Sequence, residues 1–566
     1  MNETAGGNQL HSEGNNSGRT DAEVLAADLS RAGGQLVADD PFSFEWSGQE
    51  AEDADVRPQL SAVRVTIALV VAAAAVFFAV VGIERAVAPK VTVATPWFAP
   101  YVDATLSPVY QFQDPALNAA SQVYLGFVVA KQGTTCTPSW GGNYSPADAN
   151  ADLDLDRRVN QVRLEGGEVF VSFGGAKNVE LANSCRSSSL LASAYESIVR
   201  RYNLEGMDFD LEKANLTDQQ AMERRAIAVA QVQRTIRAPG GGPLPVWLTV
   251  PSTPQGLDAD GLDAIRIMLS HHVSLAGINL LTMDMGTDDG PAPNMLAWTK
   301  SALLAAHTQL GTAFAGVGDK LTPTQVWDHM GATVMIGQND VSNEVFTLDD
   351  ARGLVAFAGQ VGIGRISMWS LNRDFQCAAN FSHVRVLSNT CSGVTQSDLE
   401  FSNVLSKAKG QPPGAPAVKE FSAPTTTTTK PGSGSTGLPY PQWLSSNIYP
   451  AGYKVTWNGD VYQAKWSTQG QPPDSPVRYQ YQNAWQLIGP VLPTDKAPTT
   501  TTLPSGTYPD WSPSAAYPQG SKVLYDGLPF VSKYYAVGAP PDPSAVNSPV
   551  SPWQPLFTVP GEPSQQ

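Results

Sequence analysis

From Trp97 to about Lys409, short apolar runs alternate with amphipathic stretches, the order expected of strands interleaved with helices. Eight runs read as strands: Phe98 to Ala104, Gln122 to Val129, Glu168 to Phe173, Gly206 to Leu211, Pro245 to Val250, Ala276 to Met283, Ala332 to Gly337 and Arg365 to Ser370. Helical periodicity marks Ser188 to Arg201, Asp218 to Arg237 and Thr347 to Gln360 among the stretches between them. Eight strands in about 300 residues fit an α/β fold, a closed (β/α)8 barrel whose functional groups sit at the C-terminal ends of the strands. A doubly wound open sheet is the alternative, but no glycine-rich phosphate loop follows any of the runs.

The fourth run ends Asp208-Phe209-Asp210-Leu211-Glu212. Side chains two apart in a strand point the same way, so Asp208, Asp210 and Glu212 share one face while Met207, Phe209 and Leu211 take the other. Three crowded carboxylates cannot all stay ionised cheaply, so at least one proton is held among them near neutral pH. The result is a proton donor beside a carboxylate. The same spacing also suits an exposed edge strand with its acids outward, and the surrounding motifs decide between the two.

Outside this region the pattern changes. Val65 to Ile83 is an uncharged apolar run of 19 residues, long enough to cross a hydrocarbon core as a helix. It is too long and too far from the start for an ordinary signal segment, and Pro89 after Ala86-Val87-Ala88 obstructs cleavage, so an uncleaved anchor over 63–83 is expected, with secretion after cleavage as the alternative. Arg57 and Arg64 before it balance Arg85 and Lys90 after it, so flanking charge does not orient it. Residues 1–62, rich in Gly, Asn, Ser, Ala and acidic side chains, read as a disordered cytoplasmic tail. The net charge of −16 argues against a nucleic-acid partner. All four cysteines, Cys136, Cys185, Cys377 and Cys391, fall in the central region and none is in CxxC spacing, which suits disulfides outside the cytosol. A short loop between Cys377 and Cys391 would leave Cys136 with Cys185, although three pairings are open.

The residues of the central region resemble glycoside hydrolase family 18, the chitinases. Glu205-Gly206-Met207-Asp208-Phe209-Asp210-Leu211-Glu212 is similar to the family's Asp-Gly-x-Asp-x-Asp-x-Glu signature on the fourth strand of a TIM barrel. Ser172-Phe173-Gly174-Gly175 resembles its Ser-x-Gly-Gly motif, Asn279 to Asp284 stands where it has Gln-x-Met-x-Tyr-Asp, and Trp369 stands where the eighth strand delivers a tryptophan. The resemblance implies a substrate-assisted retaining mechanism, an exception to the two-carboxylate scheme. Glu212 would be general acid and base. Asp210 would bind the substrate's 2-acetamido group while that group attacks to form an oxazolinium, and Asp208 would share a proton with Asp210. Asp284, Trp369, Met283, Ser172, Gly174 and Gly175 would serve substrate binding, with Met283 and Met285 departing from the tyrosines found in relatives. No metal or organic cofactor is implied. The substrate must carry a 2-acetamido group, which leaves chitin, chito-oligosaccharides, peptidoglycan and the N-glycan core.

Two Thr-, Pro- and Gly-rich stretches, 410–437 and 491–507, read as linkers after a catalytic region spanning 95–409. They separate two related units, 438–490 and 508–558: Tyr440-Pro441-Gln442-Trp443, Tyr449, Asn458-Gly459, Trp466 and Trp485 recur as Tyr508-Pro509-Asp510-Trp511, Tyr517, Asp526-Gly527, Tyr534 and Trp553. Asn-Gly and Asp-Gly mark hairpins, so each unit is a small all-β module. The modules resemble the chitin-binding families 5 and 12 of carbohydrate-binding modules, and the resemblance places sugar-stacking rings at Tyr449, Trp466, Tyr517, Tyr534 and Tyr535. The whole reads as a monomeric, membrane-anchored, outward-facing chitinase acting on chitin and chito-oligosaccharides. Its rivals are a surface lectin with a disabled barrel and a same-fold hydrolase of peptidoglycan or N-glycans.

Overall fold

The computed structural model describes residues 96–238, 241–378, 387–408, 438–477, 482–496, 502–541, 550–557, 559 and 561–562, with Thr66. The acidic tail at 1–62, the apolar run at 63–83 apart from Thr66, and the linker at 410–437 lie outside the described residues. Among those described, no helix is long and apolar enough to cross a membrane.

The central region contains β1 (Trp97–Phe98), β2 (Tyr101–Asp103), β3 (Gln122–Ala130), β4 (Pro138–Trp140), β5 (Glu168–Gly174), β6 (Gly206–Asp210), β7 (Val246–Pro251), β8 (Leu275–Leu281), β9 (Met330–Met335), β10 (Gly337–Gln338), β11 (Val345–Phe346) and β12 (Arg365–Trp369). Nine of them form a curled sheet in the order β1-β12-β9-β8-β7-β6-β5-β3-β2, every pairing parallel, with β4 antiparallel on β3. The expected first run, Phe98 to Ala104, is two short strands, and the break joins the sheet's two edges. Pro100 has no N–H to give a ladder. Upstream of it β1 pairs with β12, and downstream β2 pairs with β3. The barrel closes across Ala99-Pro100, whose backbone meets Ile366 on one side and Tyr124 on the other.

Helices follow the strands with local signals at their ends. Asp218 caps Gln219–Thr235, Ser187 caps Ser188–Tyr202, and Thr347 with Asp350 forms a capping box on Leu348–Val361. The connection between β2 and β3 departs from the pattern, running through turns with no helix.

Two cores result. Val123, Val171, Met207, Phe209 and Leu248 point outward and pack under the helices. Inside the barrel, Trp97, Tyr101, Tyr124, Phe170 and Trp247 form an aromatic floor. The two disulfides are Cys136–Cys185 and Cys377–Cys391.

The two small units repeat one topology. In the first, β13 (Ile448–Tyr449), β14 (Lys454–Trp457), β15 (Asp460–Ala464), β16 (Thr468–Gln469) and β17 (Trp485–Pro490) give a three-stranded sheet and a two-stranded one. In the second, β18 (Ala516–Tyr517), β19 (Lys522–Tyr525), β20 (Leu528–Ser532), β21 (Ala536–Val537) and β22 (Trp553–Pro555) do the same. Asn458-Gly459 and Asp526-Gly527 have positive φ at both positions, as a two-residue hairpin turn requires.

The first unit is seated on the barrel. Arg157, in the helix Leu155–Leu164, forms a bidentate pair with Asp495, just past the unit in the stretch expected as linker, at 3.0 Å through each guanidinium arm. Asp154 beside it accepts from Lys454 Nζ at 2.6 Å and from the Tyr440 hydroxyl at 2.9 Å. Gln486 donates to Asp114 at 3.0 Å.

Candidate active site

Alternation on β6 does what the pattern predicts: Met207 and Phe209 join the outer core, while Asp208 and Asp210 enter the lumen at 0 % and 5 % exposure. Glu212 follows past the strand end, half-buried at the rim. The triplet is therefore a ladder from the barrel interior to its mouth, which excludes the exposed edge strand.

Asp208 is gripped from three other strands. Tyr101 and Ser172 each donate to Oδ2 at 2.7 Å, and Thr249 donates to Oδ1 at 2.6 Å. The belt continues as Asn279 Nδ2 donates to the hydroxyls of Thr249 at 3.0 Å and Thr333 at 2.7 Å. Below the belt, Arg365 Nη1 lies 3.4 Å from Asp208 Oδ1, both side chains fully buried. This arginine is a site residue that motif reading missed. The available signal was alternation on the eighth strand: Arg365, Ser367 and Trp369 share the inward face, and a lone charge there needs a partner.

Asp210 has no such support. Its Oδ1 is buried without a hydrogen-bond partner among the described residues. Burial, then the negative charges of Glu212 and Asp208, push its carboxyl well above the usual range, with Arg365 partly opposing. Burial is also the largest cause of the upward shift at Glu212; Lys213 opposes it, while Asp284 and Asp340 add to it. Both groups therefore hold protons more firmly than ordinary carboxylates. Such an arrangement offers a proton at the rim and an unsatisfied acceptor beside it.

The Ser-x-Gly-Gly residues, expected to serve substrate binding, are buried and lie against the triplet. Ser172 is fully buried and spends its hydroxyl on Asp208. Gly174 and Gly175 have φ of 108° and 85°. A Cβ on Gly174 would overlap the Asp210 carbonyl, and one on Gly175 would lie 2.9 Å from the Phe127 ring. These glycines let β5 turn away tightly against β6.

At the mouth, Trp369 stacks on Phe127 with centroids 5.5 Å apart and stands 6.4 Å from Tyr101. It is half-buried at the end of β12. Asp284 is exposed in a left-handed backbone conformation with φ of 51°, and its Oδ1 accepts from Val341 N at 3.0 Å. Met283 and Met285, on either side of it, are half-buried.

The small units divide their predicted rings into two sets. Trp466, Tyr534 and Tyr535 are exposed, at 43 %, 45 % and 65 %. Tyr449 and Tyr517 are not: they are 1 % and 8 % exposed and belong to the module cores. Their hydroxyls accept from Leu444 N and Ser512 N, each at 2.6 Å, and their rings pack edge-on against Trp485 and Trp553. So small a fold must bury large rings, and these two are spent that way.

No family model matches the chain. Among curated proteins, it is 34 % identical over 306 residues to a probable bifunctional chitinase/lysozyme of Escherichia coli (strain K12), covering 53 % of this chain and 33 % of that protein. It is 33 % identical over 304 residues to endochitinase 11 of Metarhizium anisopliae, covering 52 % and 56 %. The chain is similar to chitinases over about half its length. In turn it spans 33 % and 56 % of those curated relatives. Among solved structures, the catalytic domain of a hyperthermophilic chitinase from Pyrococcus furiosus aligns at 28 % identity over 56 % of this chain and 96 % of that one, with a TM-score of 0.48.

Proposed function

We propose that this chain is a chitinase that hydrolyses β-1,4 bonds between N-acetylglucosamine units by a substrate-assisted, retaining mechanism. The observation that carries the reading is Asp210 Oδ1, a buried acceptor without a partner, set between the braced Asp208 and the rim acid Glu212. Buried polar atoms are almost always paired, so an orphan in a cleft calls for a donor from a ligand. The N–H of a 2-acetamido group is such a donor.

Glu212 gives its proton to the leaving glycosidic oxygen. The acetamido oxygen attacks the anomeric carbon, Asp210 orients that group through its Oδ1, and the single negative charge of the Asp208–Asp210 pair offsets the positive charge growing on it. Glu212, now ionised, takes a proton from the water that opens the oxazolinium, giving net retention. Trp369 floors the subsite of the reacting sugar and Asp284 binds it from the rim. Trp466, Tyr534 and Tyr535 hold the polymer, and their attachment to the enzyme raises its local concentration on an insoluble surface. The apolar run at 63–83 anchors the chain with its barrel outside the cell.

Turnover of a chito-oligosaccharide by the wild type and by Glu212→Gln tests the reading. Loss of general acid catalysis lowers kcat by about 10²–10⁴-fold. Equal, negligible rates for both would overturn it in favour of a lectin. Parallel assays on peptidoglycan and a glycoprotein separate the other hydrolases of this chemistry.

A further inference from the structure

The lumen holds a charge that the proposed mechanism does not use. Arg365 opens β12 at the bottom of the barrel, fully buried, with its guanidinium carbon 3.7 Å from the Tyr124 ring centroid. The rings of Trp247, Tyr101 and Trp97 stand 5.3, 5.4 and 5.8 Å away. Among the described residues its one bond to a carboxylate is the 3.4 Å contact of Nη1 with Asp208, and Nε and Nη2 have no hydrogen-bond partner. A cation enclosed by four aromatic faces with one acidic contact is costly to bury for stability alone.

The groups around it define what it can do. Asp208 already receives hydroxyl donors from β2, β5 and β7. Three hydroxyls and a guanidinium together supply the donors that an ionised carboxylate accepts. The other titratable groups facing this pair are Tyr101 on β2, Tyr124 and Glu168 across β3 and β5, and Asp210 above. Both tyrosines are held neutral by burial, the largest cause of their raised ionisation. Arg365 is therefore the cation that balances Asp208 inside the lumen.

We propose that Arg365 is a positioning residue that keeps the negative charge on Asp208, so that the proton carried by the two aspartates rests on Asp210, one step nearer the substrate. It touches neither substrate nor the reacting atoms, and acts through Asp208. The proposal rests on the chitinase reading for its assay.

With the guanidinium charge removed, the cation that opposes the raised carboxyl of Asp210 is lost, and the aspartate pair gives up its single negative charge over more of the acid range. In Arg365→Gln the acid limb of the kcat/KM profile on a soluble chito-oligosaccharide moves up by about one unit or more, the size expected for losing an opposite charge at this distance. In the same variant kcat falls while KM changes by less than about twofold, because Arg365 lies below the sugar. Arg365→Lys keeps the charge and holds the acid limb within about half a unit of the wild type. A merely structural role would lower the yield or melting temperature of both variants without moving the limb.

A folded Arg365→Gln whose acid limb stays in place overturns the proposal. So does an Arg365→Lys limb displaced as far as the neutral variant's. If Arg365→Gln does not fold, Arg365→Met, neutral and compatible with the surrounding rings, takes its place: a raised limb supports the proposal and an unmoved one overturns it. Wild-type protein that turns over no chito-oligosaccharide would sink the chitinase reading instead, so the two failures are distinct.

Discussion

Among the described residues two arginine–carboxylate pairs are completely buried, and they differ in what surrounds them. Arg225 and Glu180 meet at 2.6 Å between the loop after β5 and the helix Gln219–Thr235. There both carboxylate oxygens are served: Ala182 N and Arg225 reach Oε2, and the Tyr195 hydroxyl reaches Oε1 at 2.6 Å. The guanidinium is equally occupied, with Asn183, the Asn215 carbonyl and Met222 as further acceptors. In the lumen, Arg365 leaves two nitrogens unpaired, Asp210 leaves Oδ1 and Asn279 leaves its Oδ1. A saturated pair is a fastener. An unsaturated cluster of the same chemistry is a place where charge has been kept for a reaction.

That distinction is open to breakage at the fastener, where the largest effect is expected. Glu180→Gln or Arg225→Met leaves an uncompensated buried charge and costs about 3–5 kcal/mol of unfolding free energy. Denaturant titration measures it. Activity per folded molecule, measured at a temperature where the variants remain folded, is expected to hold, since the pair braces the rim from outside the lumen. A stability loss below about 1 kcal/mol would mean that saturation does not report fastening.

Asp210→Asn probes the opposite case. Its carboxyl is held well above the usual range by burial first and by Glu212 and Asp208 next, so the site is strained by any charge there. The substitution removes that strain, and stability near neutral pH stays level or rises. The sign follows from linkage: a carboxyl raised on folding is more costly as pH climbs through its folded value, so relief grows toward alkaline pH. Turnover falls by about 10²–10³-fold, the usual scale for losing one preorganised electrostatic contact. Thermal melts at two pH values, beside kcat on a chito-oligosaccharide, check both halves. A variant that loses stability and keeps activity would reverse the assignment.

The contrast also explains what the sequence makes legible. Short apolar runs marked the barrel strands, because a strand buried on both sides of a barrel wall reads as a continuous apolar stretch, and period-two alternation on the fourth run put the three carboxylates on one face. The break at Pro100 and the helix-free β2–β3 connection are tertiary solutions that no local periodicity encodes. Ser172 was legible as a motif member but not as a prop for Asp208, since its partner lies 36 positions away. Tyr449 and Tyr517 look like sugar platforms by residue type, yet the demand of a tiny core claims them first. Arg365 escaped because one charge among apolar neighbours carries no motif.

A third buried pair sharpens the comparison at the seam between the barrel and the first small unit. Arg157 and Asp495 have 3 % and 5 % of their side chains exposed, and the guanidinium also reaches Asp154 at 3.3 Å and the Pro490 carbonyl. Asp495 in turn receives Leu492 N at 2.6 Å. By the saturation criterion this is a fastener, so the first unit is expected to ride with the barrel as one body. The second unit has the same lysine over a tyrosine, Lys522 and Tyr508 at 5.5 Å against Lys454 and Tyr440 at 5.4 Å, and its described contacts run within itself and to the first unit. A double-mutant cycle on Arg157→Ala and Asp495→Ala is expected to give a coupling of about 1–3 kcal/mol, smaller than at Arg225 because the seam joins two bodies that each keep their own core. Distances between spin labels on the barrel and on each unit provide the second readout. The barrel-to-first-unit distribution is expected to be narrow in the wild type and to broaden in the double variant. No coupling and a broad wild-type distribution would make the first unit a tethered domain, and saturation would then mark fastening only within a single core.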